Sequence, residues 1–355
     1  MLSKPPIPYA KGWKSQARSH TAPPPTPVFS FCCTNDERDR KEYEKLTSLD
    51  RCLLHPPLKG LNGPFTVDLE IHDTLHAGED TNAQVVTVNV LGVSPSPSPL
   101  GEGLTKQQRL VAKIYDPLYF PDEDGYLNPF LCVDKHYTHE AAAYSMLSNL
   151  QGTKIPNYYG SYTLSLPVVR PQDEKPVYRR VRLILIEFIN GQAMRDVSNP
   201  KREFSQADRQ KVMKEIVDFD TNLYAQDIRH SDIHPRNVLV TSTRDPNPAA
   251  TGTQRNLKSV TFIDFGAAEF GRIRKHPPDP EYTARFLPGV YISPLLRWHA
   301  CHRKTWEFQE WIDWDWQPWL EAEYEHTEAA ITPQMRYIWL PDFLLRPPPN
   351  SSEEE

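Results

Sequence analysis

The chain has no Cys-x-x-Cys pair. Its five cysteines are an odd number, with Cys32 and Cys33 adjacent, so neither a zinc site nor a disulfide framework is indicated. A reducing compartment is the simplest expectation. No apolar run is long enough to span a bilayer. Met1 to Ala10 carries Pro5, Pro6 and Pro8 in place of the apolar core of a secretory signal. The expected setting is therefore cytoplasmic or nuclear, without membrane contact. A basic surplus is also missing: 40 Lys and Arg stand against 46 Asp and Glu, for a net charge of -6. That excludes the broad basic footprint of a duplex nucleic-acid binder. No segment signals oligomer formation.

What is present suits one large two-lobed domain or two ordinary ones, at 355 residues with 39% hydrophobic and 24% charged. The 35 prolines interrupt regular structure. Residues 1–62, with Pro23-Pro24-Pro25, read as a Pro-rich, largely disordered extension holding a short charged helix within Asp36 to Leu54. Residues 347–355 read as a disordered acidic tail. From Phe65 the pattern changes. Val67, Leu69 and Ile71 alternate with polar residues, as do Val86, Val88 and Val90. This period of two predicts antiparallel strands joined by residues 72–84. Arg109–Tyr115 and Val181–Ile189 read as further strands, Thr138–Leu150 as a helix, and Ser205 as the N-cap of a long helix reaching Ala225. The order predicts an α+β fold over 63–346: a small antiparallel-sheet lobe over about 63–189, then a larger helical lobe over about 190–346.

His230-Ser231-Asp232-Ile233-His234-Pro235-Arg236-Asn237 reads H-x-D-x-x-x-x-N, and Asp264-Phe265-Gly266 follows the apolar run Val260–Ile263. Such an order supplies one base and two oxygen ligands for a metal ion. Leu110-Val111-Ala112-Lys113 lies upstream, with Glu140 in the helix after it. In these residues the chain resembles the protein-kinase-like superfamily, over roughly Phe65 to Leu345. The resemblance implies ATP and Mg²⁺ as cofactors. It implies that Lys113 neutralises nucleotide phosphate and that Glu140 fixes Lys113. Backbone groups of Glu187 and Ile189 would meet the adenine edge, with Ile186 guarding the inner pocket. Asp232 would be the catalytic base, and Asn237 and Asp264 the metal ligands. His230 would support its loop, and Arg236 would face solvent or serve structure.

Three departures stand out. His234 occupies a position where protein serine/threonine kinases usually carry Lys, and D-x-H-x-x-N is similar to aminoglycoside and choline phosphotransferases. His234 would then donate to a phosphate oxygen or orient the loop. The string as a whole is similar to uncharacterised, largely fungal, kinase-like proteins. The tryptophan-rich stretch Trp311 to Trp316 fits that group, and is equally explained by core packing of Trp298, Trp306 and Trp311. Secondly, His72 to Gln84 contains only Gly78 where kinases place a glycine-rich phosphate loop. Thirdly, no Ala-Pro-Glu follows Gly266, and Tyr291 to Leu295 is at most its remnant. Arg272, Arg274, Lys275 and Arg285 would favour an anionic substrate or lie in a solvated loop. Two functions remain open. One is phosphoryl transfer from ATP to a hydroxyl of a protein or small molecule. The other is a pseudokinase acting as a nucleotide-binding or scaffold module. Ser94, Ser96 and Ser98, each before a Pro, are either phosphorylation sites or an inert linker.

Overall fold

The structure, a computed structural model, describes residues 4–79, 81–95, 104–121, 125–168, 177–273, 277 and 279–345. Ser96, Ser98, Arg274, Lys275 and the tail 347–355 lie outside the described residues. Two compact units are present: Met1–Ile189 with Asp264–Ala268, and Asn190–Ile263 with Glu269–Glu355. Among the described residues no helix is long and apolar enough to cross a membrane.

The first unit is built on six strands. These are β1 (Lys14–Thr21), β2 (Leu61–His76), β3 (Gln84–Ser94), β4 (Arg109–Tyr115), β5 (Tyr158–Val168) and β6 (Val177–Glu187). They close into an antiparallel barrel in the order β1-β2-β3-β4-β6-β5. The period-two pattern sorts the side chains. Leu110, Ala112 and Ile114 of β4 join Val181, Leu183 and Leu185 of β6 in the barrel core. Val111, Lys113 and Tyr115 therefore point out of it. On that outer face lies α3 (Pro129–Met146), which follows two short helices, α1 (Glu37–Lys45) and α2 (Ser48–Leu54). Asn128 caps α3 by accepting the Phe130 and Leu131 amides, with Pro129 at its first position.

The N-terminal region differs from its expectation. Residues 14–21 form the strand that closes the barrel, pairing Ala17 with both Val67 and Leu164. The sequence Lys-Ser-Gln-Ala-Arg-Ser-His-Thr has no apolar alternation, because its cohesion comes from ladder bonds on both edges, from one buried methyl, Ala17, and from hydrogen bonds of buried Ser19 and His20. The expected antiparallel sheet is thus closed into a barrel by β1. Gly60 serves the closure: a Cβ there would sit 2.1 Å from the Thr21 carbonyl oxygen.

In the second unit, Ser205 accepts the Asp208 amide and starts α5 (Gln206–Ala225), preceded by one turn, α4 (Pro200–Glu203). Val212, Met213, Ile216 and Val217 are fully buried. A small sheet has β9 (Val238–Arg244) between β7 (Gln192–Ala193) and β10 (Arg255–Phe262), and β8 (Ile228–Arg229) pairs with β11 (Glu269–Phe270). Phe262 stacks on Phe219 of α5 with ring centroids 3.8 Å apart. Trp311 and Trp298 are buried, whereas Trp306 is 61% exposed and not part of this core.

Candidate active site

In the first unit, Lys113 and Tyr115 stand two residues apart on β4 and converge on Glu140 of α3. Lys113 Nζ donates to Glu140 Oε2 at 2.5 Å and to Asp264 Oδ1 at 2.5 Å. Tyr115 Oη donates to the same Glu140 Oε2 at 2.5 Å. Asp264 is held there by its neighbours. Its backbone is left-handed, φ 66°, a conformation Asp tolerates better than most residues. Phe265 is fully buried and meets the Tyr144 ring edge-on at 5.3 Å. Gly266 lies against α3, where an added Cβ would be 3.4 Å from Glu140 Oε2, an ordinary contact. Burial alone would discharge these groups. It pushes the Glu140 carboxyl above its usual range, opposed by the Lys113 ammonium. For Lys113, burial works against the charge, but the Asp264 and Glu140 carboxylates outweigh it and hold the ammonium protonated. Burial beside Lys113 lowers His136 to about 4.

In the second unit, residues 230–237 form a loop tied to its own hairpin. β9 and β10 pair Val238 with Phe262, and the Ile263 amide donates to the Asn237 carbonyl at 3.0 Å. His230 is buried and its Nε2 donates to the Ile263 carbonyl at 3.0 Å. Both Asp232 carboxylate oxygens are engaged: Oδ1 by Arg236 Nη2 at 2.6 Å, Oδ2 by Asn237 Nδ2 at 2.8 Å. Asn237 Nδ2 also reaches the Asp232 carbonyl at 2.9 Å, which leaves its Oδ1 as the acceptor end of that carboxamide. His234 uses both ring nitrogens within the unit. Nδ1 accepts the Arg236 amide at 3.2 Å, and Nε2 lies 2.9 Å from Glu307 Oε2.

The remaining expected positions are less distinctive. Ile186 is buried in β6. The Glu187 amide donates to the Asn157 carbonyl at 2.9 Å, and its carboxylate accepts Asn157 Nδ2 at 2.8 Å. Ile189 ends the first unit. The Gly78 amide, expected to approach phosphate, instead donates to Gln84 Oε1 at 2.9 Å, and the Gly78 carbonyl accepts Gln84 Nε2 at 2.7 Å. One side chain thereby occupies both backbone groups of that glycine. Arg272 is no anion receptor: it is buried, bonded to Asp227 Oδ1 at 2.5 Å and to the Val290 carbonyl at 2.7 Å. Ser293 caps the short helix Pro294–Arg297, whose Arg297 pairs with Asp220 at 2.5 Å.

Tyr115 and Glu307 were missed by the sequence reading, whereas Arg236 was read as pairing with a nearby acid or facing solvent, and it pairs with Asp232. Tyr115 was legible, because a residue two places from a functional strand lysine shares its face. Arg236 was legible as a charge four positions from Asp232. Glu307 carries no local signal, since only tertiary folding brings it to His234.

The first unit thus carries the Lys113–Glu140–Asp264 cluster, and the second the Asp232-bearing loop with its hairpin. The protein kinase domain family matches residues 133–296. The serine/threonine-protein kinase GRIK1 of Arabidopsis thaliana is 25% identical over 166 residues, covering 42% of this chain and 38% of the relative, so the chain spans well under half of that protein. A crystal structure of the PF14_0431 kinase domain aligns with TM-score 0.35 and 15% identity over 57% of this chain and 51% of the other. Over residues 133–296 the chain is thus similar to protein kinase domains.

Proposed function

We propose that the chain is an ATP- and Mg²⁺-dependent phosphotransferase that moves the γ-phosphate to a hydroxyl group. The observation that carries this reading is the Lys113 ammonium shared between Glu140 and Asp264. It is a buried cation kept charged by two carboxylates, and an ammonium has a third donor to give. Lys113 would take the nucleotide phosphates and Glu140 would hold Lys113 in place. Asp232, oriented by Arg236 and Asn237, would accept the proton of the attacking hydroxyl. Ile186 and the backbone of Glu187 and Ile189 would receive the adenine.

Asp264 offers a carboxylate in the first unit and Asn237 a carboxamide oxygen in the second, both donors of the type a hard cation takes. Among the described residues no group of three or more His, Cys, Asp or Glu makes a cage of its own, which suits an ion bound largely through phosphate oxygens. When bound, Mg²⁺ would neutralise charge on the phosphates. The named serine/threonine-protein kinase relative favours a protein hydroxyl over a small molecule as acceptor.

A second reading, a pseudokinase scaffold, is favoured by one observation, the Gln84 side chain on Gly78. The two separate experimentally. In the first reading, ATP raises the thermal midpoint only with Mg²⁺, and Asp264→Ala removes the shift. Asp232→Asn then lowers turnover by at least about 100-fold with the midpoint and nucleotide binding retained. Turnover near that of the native chain in Asp232→Asn would sink the base assignment. A native protein that ignores millimolar ATP would leave the scaffold reading standing.

A further inference from the structure

We propose that Tyr115 is a positioning residue for nucleotide binding: it fastens Glu140 to β4 independently of Lys113, so that Glu140 stays in place while Lys113 is shared with a phosphate. The inference rests on the phosphotransferase reading above.

Glu140 is fully buried, and its Oε1 has no hydrogen-bond partner. Its anchorage is therefore concentrated on Oε2, which takes one donor from Lys113 and one from Tyr115. Lys113 already divides its ammonium between two carboxylates. A phosphate arriving at that ammonium draws it further from Glu140. With Lys113 as its one donor, the buried carboxylate would lose part of its neutralisation at the moment its position matters, and a buried carboxylate short of partners is costly. Tyr115 cannot be drawn off in the same way. It is fully buried, its ring lies edge-on to Tyr137 at 5.5 Å, and its strand is paired on one side by β3, Gln84 opposite Ile114, and on the other by β6, Arg182 opposite Tyr115. Burial and the Glu140 charge hold the phenol protonated, so it remains a donor. A Phe would fill the same volume without that bond, so packing does not explain the hydroxyl.

The test is a double-mutant cycle on the full chain, with MgATP affinity read by titration calorimetry. The variants are Tyr115→Phe, Glu140→Ala and both together. Tyr115→Phe should weaken MgATP by at least about ten-fold, as expected for losing a hydrogen bond to a buried charge. In the Glu140→Ala background the same change should alter affinity by less than about two-fold, because the group Tyr115 acts through is gone. Independent, multiplying effects would make Tyr115 a packing residue and overturn the proposal. So would a Tyr115→Phe affinity within about two-fold of the native chain. If Tyr115→Phe does not fold, Tyr115→Leu enters the cycle in its place; if Glu140→Ala does not, Glu140→Gln does. Failure of the native chain to bind MgATP would remove the phosphotransferase reading itself, and this role with it. Native binding with an unaffected Tyr115→Phe removes the role alone.

Discussion

At the scale of residues, the distribution of donors over acceptors decides what each side chain is free to do. Lys113→Met leaves Glu140 and Asp264 without their shared cation. With Glu140 side-chain exposure at 1%, the variant is expected to lose about 3 kcal/mol in denaturant unfolding together with any Mg²⁺-dependent ATP shift. Arg236 presents the opposite balance. Its pair with Asp232 is partly exposed, 41% and 29% for the two side chains, so Arg236→Ala should cost less than about 1 kcal/mol of stability. Turnover should nevertheless fall while the KM for ATP stays near native, because the carboxylate loses one of its two anchors. Steady-state kinetics beside a thermal melt checks both. A loss of stability well beyond that figure would mean that Arg236 holds the loop fold and not the base.

Among the elements, the barrel is the part with most at stake. Removing residues 1–21 deletes β1 and opens both β2 and β5 to solvent, and unpaired edges invite aggregation. The truncated chain should express as aggregate, where loss of a disordered extension would leave a soluble, ATP-responsive protein. Gly60→Ala probes the same closure more gently. The new methyl would meet the Thr21 backbone oxygen at 2.1 Å, and a cost of about 1–3 kcal/mol in chemical unfolding is expected. These elements also mark how far the sequence could be read. Where side chains alternate or caps are strong the pattern was plain: β4 was legible over Arg109–Tyr115, and α5 from Ser205 to Ala225. Legibility failed where cohesion is not written in apolar residues. β1 is held by backbone bonds, a single buried alanine, and the hydrogen bonds of buried Ser19 and His20 to the Phe65 amide and the Tyr137 hydroxyl. The first turns of α3 were lost because Phe130, Leu131, Cys132 and Val133 break any one-sided pattern, although Asn128-Pro129 announced the start. In the site, residue types and order were visible; the partners that orient them, Tyr115 and Glu307, depend on which faces meet.

On the scale of the whole molecule, buried histidines set the response to acid. Burial and Arg182 hold His20 at about 4, and burial with Lys113 holds His136 at about 4. Both are below the ordinary 6.5, so the unfolded chain takes up protons first as pH falls. Their stabilisation is complete above about pH 6.5 and is lost toward pH 4, by up to about 1.4 kcal/mol per pH unit for each. Asp134, raised by burial to about 6, has the opposite sign: its contribution is present below about pH 4 and fades as pH rises through 6. His299 and His302, also lowered by burial, act in the same direction as these two, and Glu140, raised by burial, acts with Asp134, so that the histidines give a net loss on acidification. The thermal midpoint should drop between pH 7 and 4.5, and His20→Gln should flatten that slope; a flat native profile would contradict both assignments. The division of the chain has its own consequence. The strand-and-helix unit ends at Ile189 but takes back Asp264–Ala268, so its backbone leaves and returns. No single scission yields two autonomous pieces: a fragment 1–189 lacks the Phe265 ring that Tyr144 packs against. The first unit is therefore discontinuous in the gene, and a stop codon after Ile189 should give a product with a void where that ring belongs.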